Sequence, residues 1–148
     1  MQVHFGSELL QPEWAEAVVT VGTFDGVHLG HRAVIAEATR IAKSRELPTI
    51  LVTFDRHPQV ILNPTKSPKA INSLKMNLEQ FQSAGVVLAV VLPFNAWLSR
   101  MSADEFLNSI LINRLHANTV VVGHDFALGN GRIGNSEWLA ERIETFVV

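Results

Sequence analysis

The stretch VGTFDGVHLGH, residues 21–31, decides the fold because it joins two kinds of secondary structure. The run before it, residues 17–22, is short, apolar and continuous, which is typical of a strand buried on both faces. Residues 31–45 then place alanines and isoleucines among charged residues, as an amphipathic helix does. Gly26 permits a tight turn, and Gly30 lets the first helical turn approach the sheet. Free N–H groups and the positive end of the helix dipole therefore predict an anion site here.

Gly22 and two histidines refine this prediction. Gly22 ends the strand where a side chain would crowd a ligand that approaches the backbone. His28 and His31 are three residues apart, so both imidazoles lie on one face of a helical turn and can donate to a phosphate. Two alternatives stay open: the histidines cap the helix or pack under a loop, or they bind a metal, for which no third ligand is evident nearby. Their place after a glycine-rich turn favours the phosphate site.

Further apolar runs and helical patterns alternate along the rest of the chain. The runs cover residues 49–54, 86–92 and 119–123, and residues 146–148 open a fifth strand that the chain does not finish. Helical patterns lie at 73–84, behind a capping box at 102–105, and after Ser136. The alternation predicts an α/β fold: a Rossmann-like, doubly wound, mostly parallel sheet of about five strands with helices on both faces. Ligands of such sheets bind outside the carboxyl ends of the strands.

One irregular segment, residues 55–72, interrupts the alternation. It contains three prolines and several basic residues. A long proline-rich loop inside a compact domain is more often functional than idle. We therefore predict one domain with one mobile flap.

Composition narrows the classes of partner. The net charge is −2 at pH 7, so the chain has no general attraction to nucleic acid or to anionic membranes. The absence of cysteine excludes disulfides and thiol chemistry and fits a reducing compartment. The longest apolar run, 86–94, is far shorter than the ~20 residues that span a bilayer, and the N-terminus lacks a signal-peptide pattern. We expect a cytoplasmic protein without a nucleic-acid or membrane partner.

Three segments, in order, resemble one known family. Residues 23–31 resemble the signature of the HxGH nucleotidyltransferases, and TFDRHP at 53–58 resembles a Thr-Phe-x-x-His-Pro segment at the end of their second strand. VVVGHDFALGNGRIG at 120–134 resembles a Val-Gly-x-Asp/Asn-Phe-x-Phe-Gly segment after the fourth strand, and 98–99 with 102–106 match the stretch leading into the third helix. Nearly the whole chain resembles the FMN adenylyltransferase (FAD synthetase) module of the bacterial bifunctional riboflavin kinase/FAD synthetase family.

The resemblance implies a reaction and a set of site residues. FMN and ATP, with Mg²⁺, would give FAD and pyrophosphate, and the catalytic residues would be His28 and His31 on the ATP phosphates. The residues implied for ATP are Gly22, Thr23, Phe24, Asp25, Gly26, Gly30, Asp125, Phe126 and Gly129, and those for FMN are Phe54, His57 and Pro58. A structural hydrogen bond stays open for His57 and an ordinary turn for Asp125, whereas Arg132 faces either phosphate or solvent.

The sequence departs from the family pattern in several places. Residues 136–148 do not supply the family's Ser/Thr-Thr-x-x-Arg element, Leu128 stands where an aromatic is common, and Met76-Asn77 replaces an acidic-basic pair. No riboflavin kinase domain is present, so residues 1–148 are expected to form a nucleotidyltransferase domain without its C-terminal part. The chain is then a piece of a larger enzyme or a short relative.

These departures leave two other functions open. One is binding of a nucleotide or flavin with little or no turnover. The other is adenylyl or cytidylyl transfer to a different phosphorylated small molecule. The unfinished fifth strand would also leave an open sheet edge, which invites self-association.

Overall fold

The computed structural model describes residues 1–6, 13–24, 29–55, 68–93 and 96–148. In these ranges the strands are β1 (Gln2–Phe5), β2 (Ala17–Val21), β3 (Thr49–Asp55), β4 (Leu88–Pro93), β5 (Ala117–Val122), β6 (Ala127–Leu128), β7 (Gly134–Asn135) and β8 (Glu144–Val147). The helices are α1 (Leu29–Ser44), α2 (Pro68–Ser83), α3 (Ala96–Arg100), α4 (Ala103–Glu105) and α5 (Ser136–Ala140). A π-helical segment, Phe106–Arg114, continues α4, and Asn130–Arg132 forms a 3₁₀ turn.

Six strands form one sheet in the order β1-β4-β3-β2-β5-β8. Every neighbouring pair in this sheet is parallel, which confirms the predicted α/β architecture. The chain moves from β2 through β3 to β4 in one direction and then crosses back to β5 and β8. The strand order therefore reverses between β2 and β5, and a crevice forms outside the carboxyl ends of strands at such a reversal.

The strands are covered by helices on both faces, as predicted. Val19 and Val21 of β2 pack in the cluster that contains the π-helical segment and Leu139 of α5, whereas Val18 packs with α1. Leu51 of β3 belongs to the cluster that contains Phe81 of α2. Because all five positions of β2 are buried, its sequence is continuously apolar except for Thr20.

Three elements differ from their predictions. β1 brings the sheet to six strands; three of its four residues are exposed, so it carries no apolar run that the sequence analysis could detect. α2 begins at Pro68, before the predicted start at residue 73, because proline is well suited to the first helical turn. The strand predicted at residues 146–148 is present as β8, which pairs with β5 from Glu144 to Val147 and so begins two residues before its predicted start. Within the described residues β8 has no second strand neighbour, and self-association through that edge stays a prediction.

The predicted capping box is present at the start of α4. Ser102 Oγ accepts a hydrogen bond from the backbone N–H of Glu105 at 3.1 Å and donates to Oε1 of the same residue at 3.2 Å. This cap fixes the end of the helical segment nearest the carboxyl ends of the strands. Across the described ranges, the helices are too short or too polar to cross a membrane.

Candidate functional site

A cavity of about 680 Å³ lies at the carboxyl ends of β2 and β5, where the strand order reverses. Its volume is in the range of small-molecule sites, which is ~300–1,000 Å³. It is lined by the turn after β2, the start of α1, the end of β3, helical residues 98–106 and the loop after β5. The predicted site residues that line it are Gly22, Thr23, Phe24, His31, Phe54, Asp125, Phe126 and Gly129.

The turn after β2 is held in an unusual conformation. Phe24 has a φ of 50°, in the left-handed region, yet its ring is buried with 2% of its surface exposed. The ring packs edge-on against Phe81 at 5.7 Å between centroids. A Cβ at Gly22 would lie 3.0 Å from Phe24 Cζ, so this position has no side chain because the phenylalanine ring occupies the space. The space beside Gly22, which we predict from the sequence to admit a ligand, is occupied by the Phe24 ring, and this ring is a sufficient reason for a glycine.

His31 lies in the first turn of α1 and faces this turn. Its ring stands edge-on to the Phe24 ring, with 5.4 Å between centroids. α1 has 16 residues and no acidic side chain in its first turn, so nothing in that turn offsets the positive end of the helix dipole. Gly30 precedes His31 in the same turn. This end of the cavity has the features of an anion site.

The loop after β5 forms the opposite wall. Asp125 lines the cavity, and its side chain is 84% exposed. Arg132 lines the cavity, and its Nη2 donates to the backbone carbonyl of Asp125 at 2.8 Å, so whether its guanidinium faces phosphate or solvent stays a prediction. Phe126 N–H donates to the Gly123 carbonyl at 3.2 Å and closes the turn. His124 Nε2 lies 3.6 Å from Asp125 Oδ1 on the exposed side.

The strands β6 and β7 pair as a small hairpin that holds Gly129 against the start of α4. Gly129 has a φ of 78°, and a Cβ there would lie 2.4 Å from the backbone nitrogen of Ala103. A Cβ at Gly134 would lie 2.7 Å from Leu128 Cβ. The glycines therefore let the hairpin dock closely, and the docked hairpin forms one wall of the cavity.

Apolar side chains from β3, from helical residues 98–106 and from the loop after β5 form the other end of the cavity. Phe54 at the end of β3 and Phe106 have ring centroids 6.1 Å apart, and both line the cavity with Leu98 and Phe126. One end of the cavity is therefore suited to an anion and the other to a flat apolar ring.

Five predicted site residues lie outside the part of the chain that the structure describes, and some residues that line the cavity were not predicted. His28, Asp25, Gly26, His57 and Pro58 lie outside the described residues, so their roles stay predictions. Val34, Leu98, Ser99 and Phe106 line the cavity without having been predicted as site residues. A signal for three of them existed, because residues 98–99 and 102–106 belong to the stretches that carry the family resemblance. Across the described ranges, no group of three or more His, Asp or Glu side chains is arranged to hold a metal ion.

Two solved structures are similar in fold. A macrolide-efflux protein from Streptococcus pneumoniae matches with a TM-score of 0.82 and 24% identity, over 100% of this chain and 58% of that chain. A universal stress protein from Archaeoglobus fulgidus matches with a TM-score of 0.54 and 13% identity, over 89% of this chain and 97% of that chain. At these identities the likeness concerns the fold alone.

Curated relatives are similar in sequence, and each is described as a bifunctional riboflavin kinase/FMN adenylyltransferase. The protein of Buchnera aphidicola subsp. Schizaphis graminum is 33% identical over 86% of this chain and 41% of the relative. The protein of Listeria monocytogenes is 38% identical over 87% of this chain and 42% of the relative. The protein of Escherichia coli K12 is 30% identical over 80% of this chain and 38% of the relative. The chain thus spans less than half the length of these relatives.

Residues 10–147 match the family described as FAD synthetase. This match includes both walls of the cavity and every strand except β1. It also agrees with the three motifs that point to this family in the sequence. The chain belongs to the FAD synthetase family.

Proposed function

We propose that this chain is an FMN adenylyltransferase. A phosphate oxygen of FMN attacks the α-phosphorus of ATP in line, forming a new P–O–P linkage. The bond between the α-phosphorus and the bridging oxygen to the β-phosphorus breaks, so that FAD and pyrophosphate are the products. No covalent bond to the protein is needed, and the protein acts by positioning the reactants and by stabilising charge.

One observation carries this proposal: in a member of the FAD synthetase family, a helix N-terminus with His31 and an apolar pocket meet in one cavity at the strand reversal. The reaction needs both ends. Phosphates carry the charge that changes during transfer, and they suit the N-terminus of α1. The adenine and flavin rings are flat and largely apolar, and they suit the end that contains Phe54, Phe106 and Phe126.

Within this proposal each predicted residue keeps a role. His31, with His28, donates to the ATP phosphates and stabilises the charge that builds up during transfer. The backbone of 22–26 and Gly30 forms the cradle, and Asp125, Phe126 and Gly129 hold the nucleotide from the opposite wall. Phe54, His57 and Pro58 contact FMN.

Mg²⁺ enters this proposal as part of the substrate. ATP carries a divalent cation on its phosphates, and we assign that cation no ligand from the chain. Its chemistry there is to neutralise phosphate charge and to favour departure of pyrophosphate. The substrates are small soluble molecules, so we also propose a cytoplasmic site of action, without a nucleic-acid or membrane partner.

The test is to incubate the chain with ATP, Mg²⁺ and FMN and to measure FAD and pyrophosphate together. The proposal predicts that both accumulate in equal amounts. Binding of ATP or FMN without FAD formation would instead support a binding module without turnover. Transfer to another phosphorylated acceptor, such as pantetheine phosphate or glycerol phosphate, but not to FMN would show that the natural acceptor is not FMN. No binding of either substrate would refute the proposal.

A further inference from the structure

The strained turn at Phe24 is held by two side-chain hydrogen bonds that reach its carbonyl groups. Thr53 Oγ1, from β3, donates to the carbonyl of Thr23 at 2.9 Å. Asn77 Nδ2, from the middle of α2, donates to the carbonyl of Phe24 at 3.1 Å. The residues of both acceptor carbonyls line the cavity, whereas neither donor residue does. In the sequence, Asn77 stands out solely as a departure from the family pattern.

These bonds determine which backbone groups the cavity presents. A carbonyl oxygen carries partial negative charge and repels phosphate, whereas a backbone N–H attracts it. A turn with one residue in the left-handed region can rotate its peptide groups between alternative orientations, and a non-glycine residue stays there only when its surroundings hold it. Asn77 and Thr53 supply donors for two successive carbonyls and so draw both oxygens away from the cavity.

Packing of aromatic rings connects the turn to His31. The Phe24 ring lies between the His31 ring and Phe81 of α2, and all three rings are half-buried or buried. Rotation of the peptide group on either side of Phe24 changes the φ or the ψ of the residue whose ring packs against His31. Asn77 is thus placed to fix both the backbone of the anion site and the imidazole beside it.

We propose that Asn77 is a positioning residue for ATP: it holds the Phe24 carbonyl outside the cavity and so keeps the turn and His31 in the arrangement that accepts phosphate. Thr53 does the same for the Thr23 carbonyl. This inference rests on the proposed function for the identity of the ligand. The positions of the carbonyl groups rest on the structure alone.

The test compares two variants with a matched control. Asn77→Asp keeps the size of the side chain but replaces the donor with a carboxylate that repels the Phe24 carbonyl, and Thr53→Val removes the second donor without changing shape. Thr39→Val is the control, because Thr39 Oγ1 also bonds backbone carbonyls, those of Ile35 at 2.9 Å and Ala84 at 3.2 Å, but neither carbonyl belongs to the turn after β2. We measure the dissociation constant of MgATP and the NMR signals of the His31 ring protons, which the neighbouring Phe24 ring shifts.

We expect Asn77→Asp to weaken MgATP binding roughly tenfold or more, because a carbonyl oxygen that turns toward the cavity repels phosphate and the hydrogen bond from a correctly placed N–H to a charged group is lost. The His31 ring signals of Asn77→Asp should also move. Thr53→Val should change the MgATP affinity and the His31 signals in the same direction, and Thr39→Val should change neither. Wild-type affinity and unmoved His31 signals in Asn77→Asp would overturn the inference, as would equal changes in Thr39→Val. If the wild-type chain binds no MgATP, the proposed function fails and the role at the anion site fails with it. The His31 signals then still decide whether Asn77 positions the turn.

Discussion

Replacing Gly129 by alanine should destabilise the chain by clearly more than replacing Gly131. Both glycines have a positive φ, but their ψ angles differ: Gly131 (φ 74°, ψ 7°) lies near the left-handed helical region, whereas Gly129 (φ 78°, ψ 173°) lies in a region that is nearly restricted to glycine. An alanine therefore meets a backbone penalty of about 1–2 kcal/mol at Gly131 and of about 1–3 kcal/mol at Gly129. Space differs between them: a Cβ at Gly129 lies 2.4 Å from Ala103 N, whereas a Cβ at Gly131 has its nearest neighbour, Ile133 Cγ1, at 4.0 Å.

The difference between the two variants combines the steric contact at Gly129 with its more restricted backbone. Overpacking of this kind costs about 1–3 kcal/mol, so we expect a loss of about 1–2 kcal/mol for Gly131→Ala and about 2–6 kcal/mol for Gly129→Ala. Urea unfolding measures both, and the midpoints are comparable if the slopes are unchanged. Equal destabilisation of the two variants would refute the reasoning, because it would mean that Gly129 does not lie against the start of α4.

Two smaller predictions concern parts of the fold away from the cavity. Arg45 holds Glu144 of β8 with contacts of 3.1 and 2.6 Å, and this hydrogen bonding lowers the pKa of the Glu144 carboxyl. The stability that this pair contributes is present above the ordinary pKa of a glutamate and is lost as the pH falls through the lowered value. Glu144→Gln should therefore be less stable than wild type at pH 7 and equally stable in acid, as measured by urea unfolding. The same difference in unfolding free energy at both pH values would contradict this. Removing the cap with Ser102→Ala should lower the free energy of unfolding by about 1 kcal/mol. Ser83→Ala, which removes an exposed bond to the Glu79 carbonyl at 3.0 Å, serves as the control and should change it little.

The strands in the middle of the sheet are the part of the fold that sequence predicts well. β2 to β5 are buried on both faces, so each appears as a continuous apolar run with a helix pattern after it. β1 lies at an edge of the sheet, and β6 and β7 have two residues each. None of these three strands therefore has a pattern that can be recognised locally. Their pairing depends on contacts with β4 and with the start of α4.

The candidate site also has parts that the sequence predicts and parts that it does not. The turn at 22–24 and the loop at 123–129 are recognisable because their glycines and aromatics recur within short segments. Asn77 escapes such analysis, since its bond to the Phe24 carbonyl joins residues on separate elements. The strain at Phe24 also has no sequence signal, because phenylalanine rarely adopts a left-handed backbone and burial of its ring is what holds it there.

The most direct test of the central claim is the single-turnover rate of FAD formation in His31→Ala, measured with ATP, Mg²⁺ and FMN. His31 lines the cavity at the N-terminus of α1, so its loss should lower the rate at least roughly tenfold. His124→Ala is the control, because His124 is 83% exposed and does not line the cavity, and its rate should match wild type. Urea unfolding of both variants shows whether a lower rate of FAD formation in His31→Ala comes with a loss of stability from the missing Phe24 contact or occurs in a stably folded protein. An unchanged rate in folded His31→Ala would contradict the assignment of this cavity as the site of adenylyl transfer.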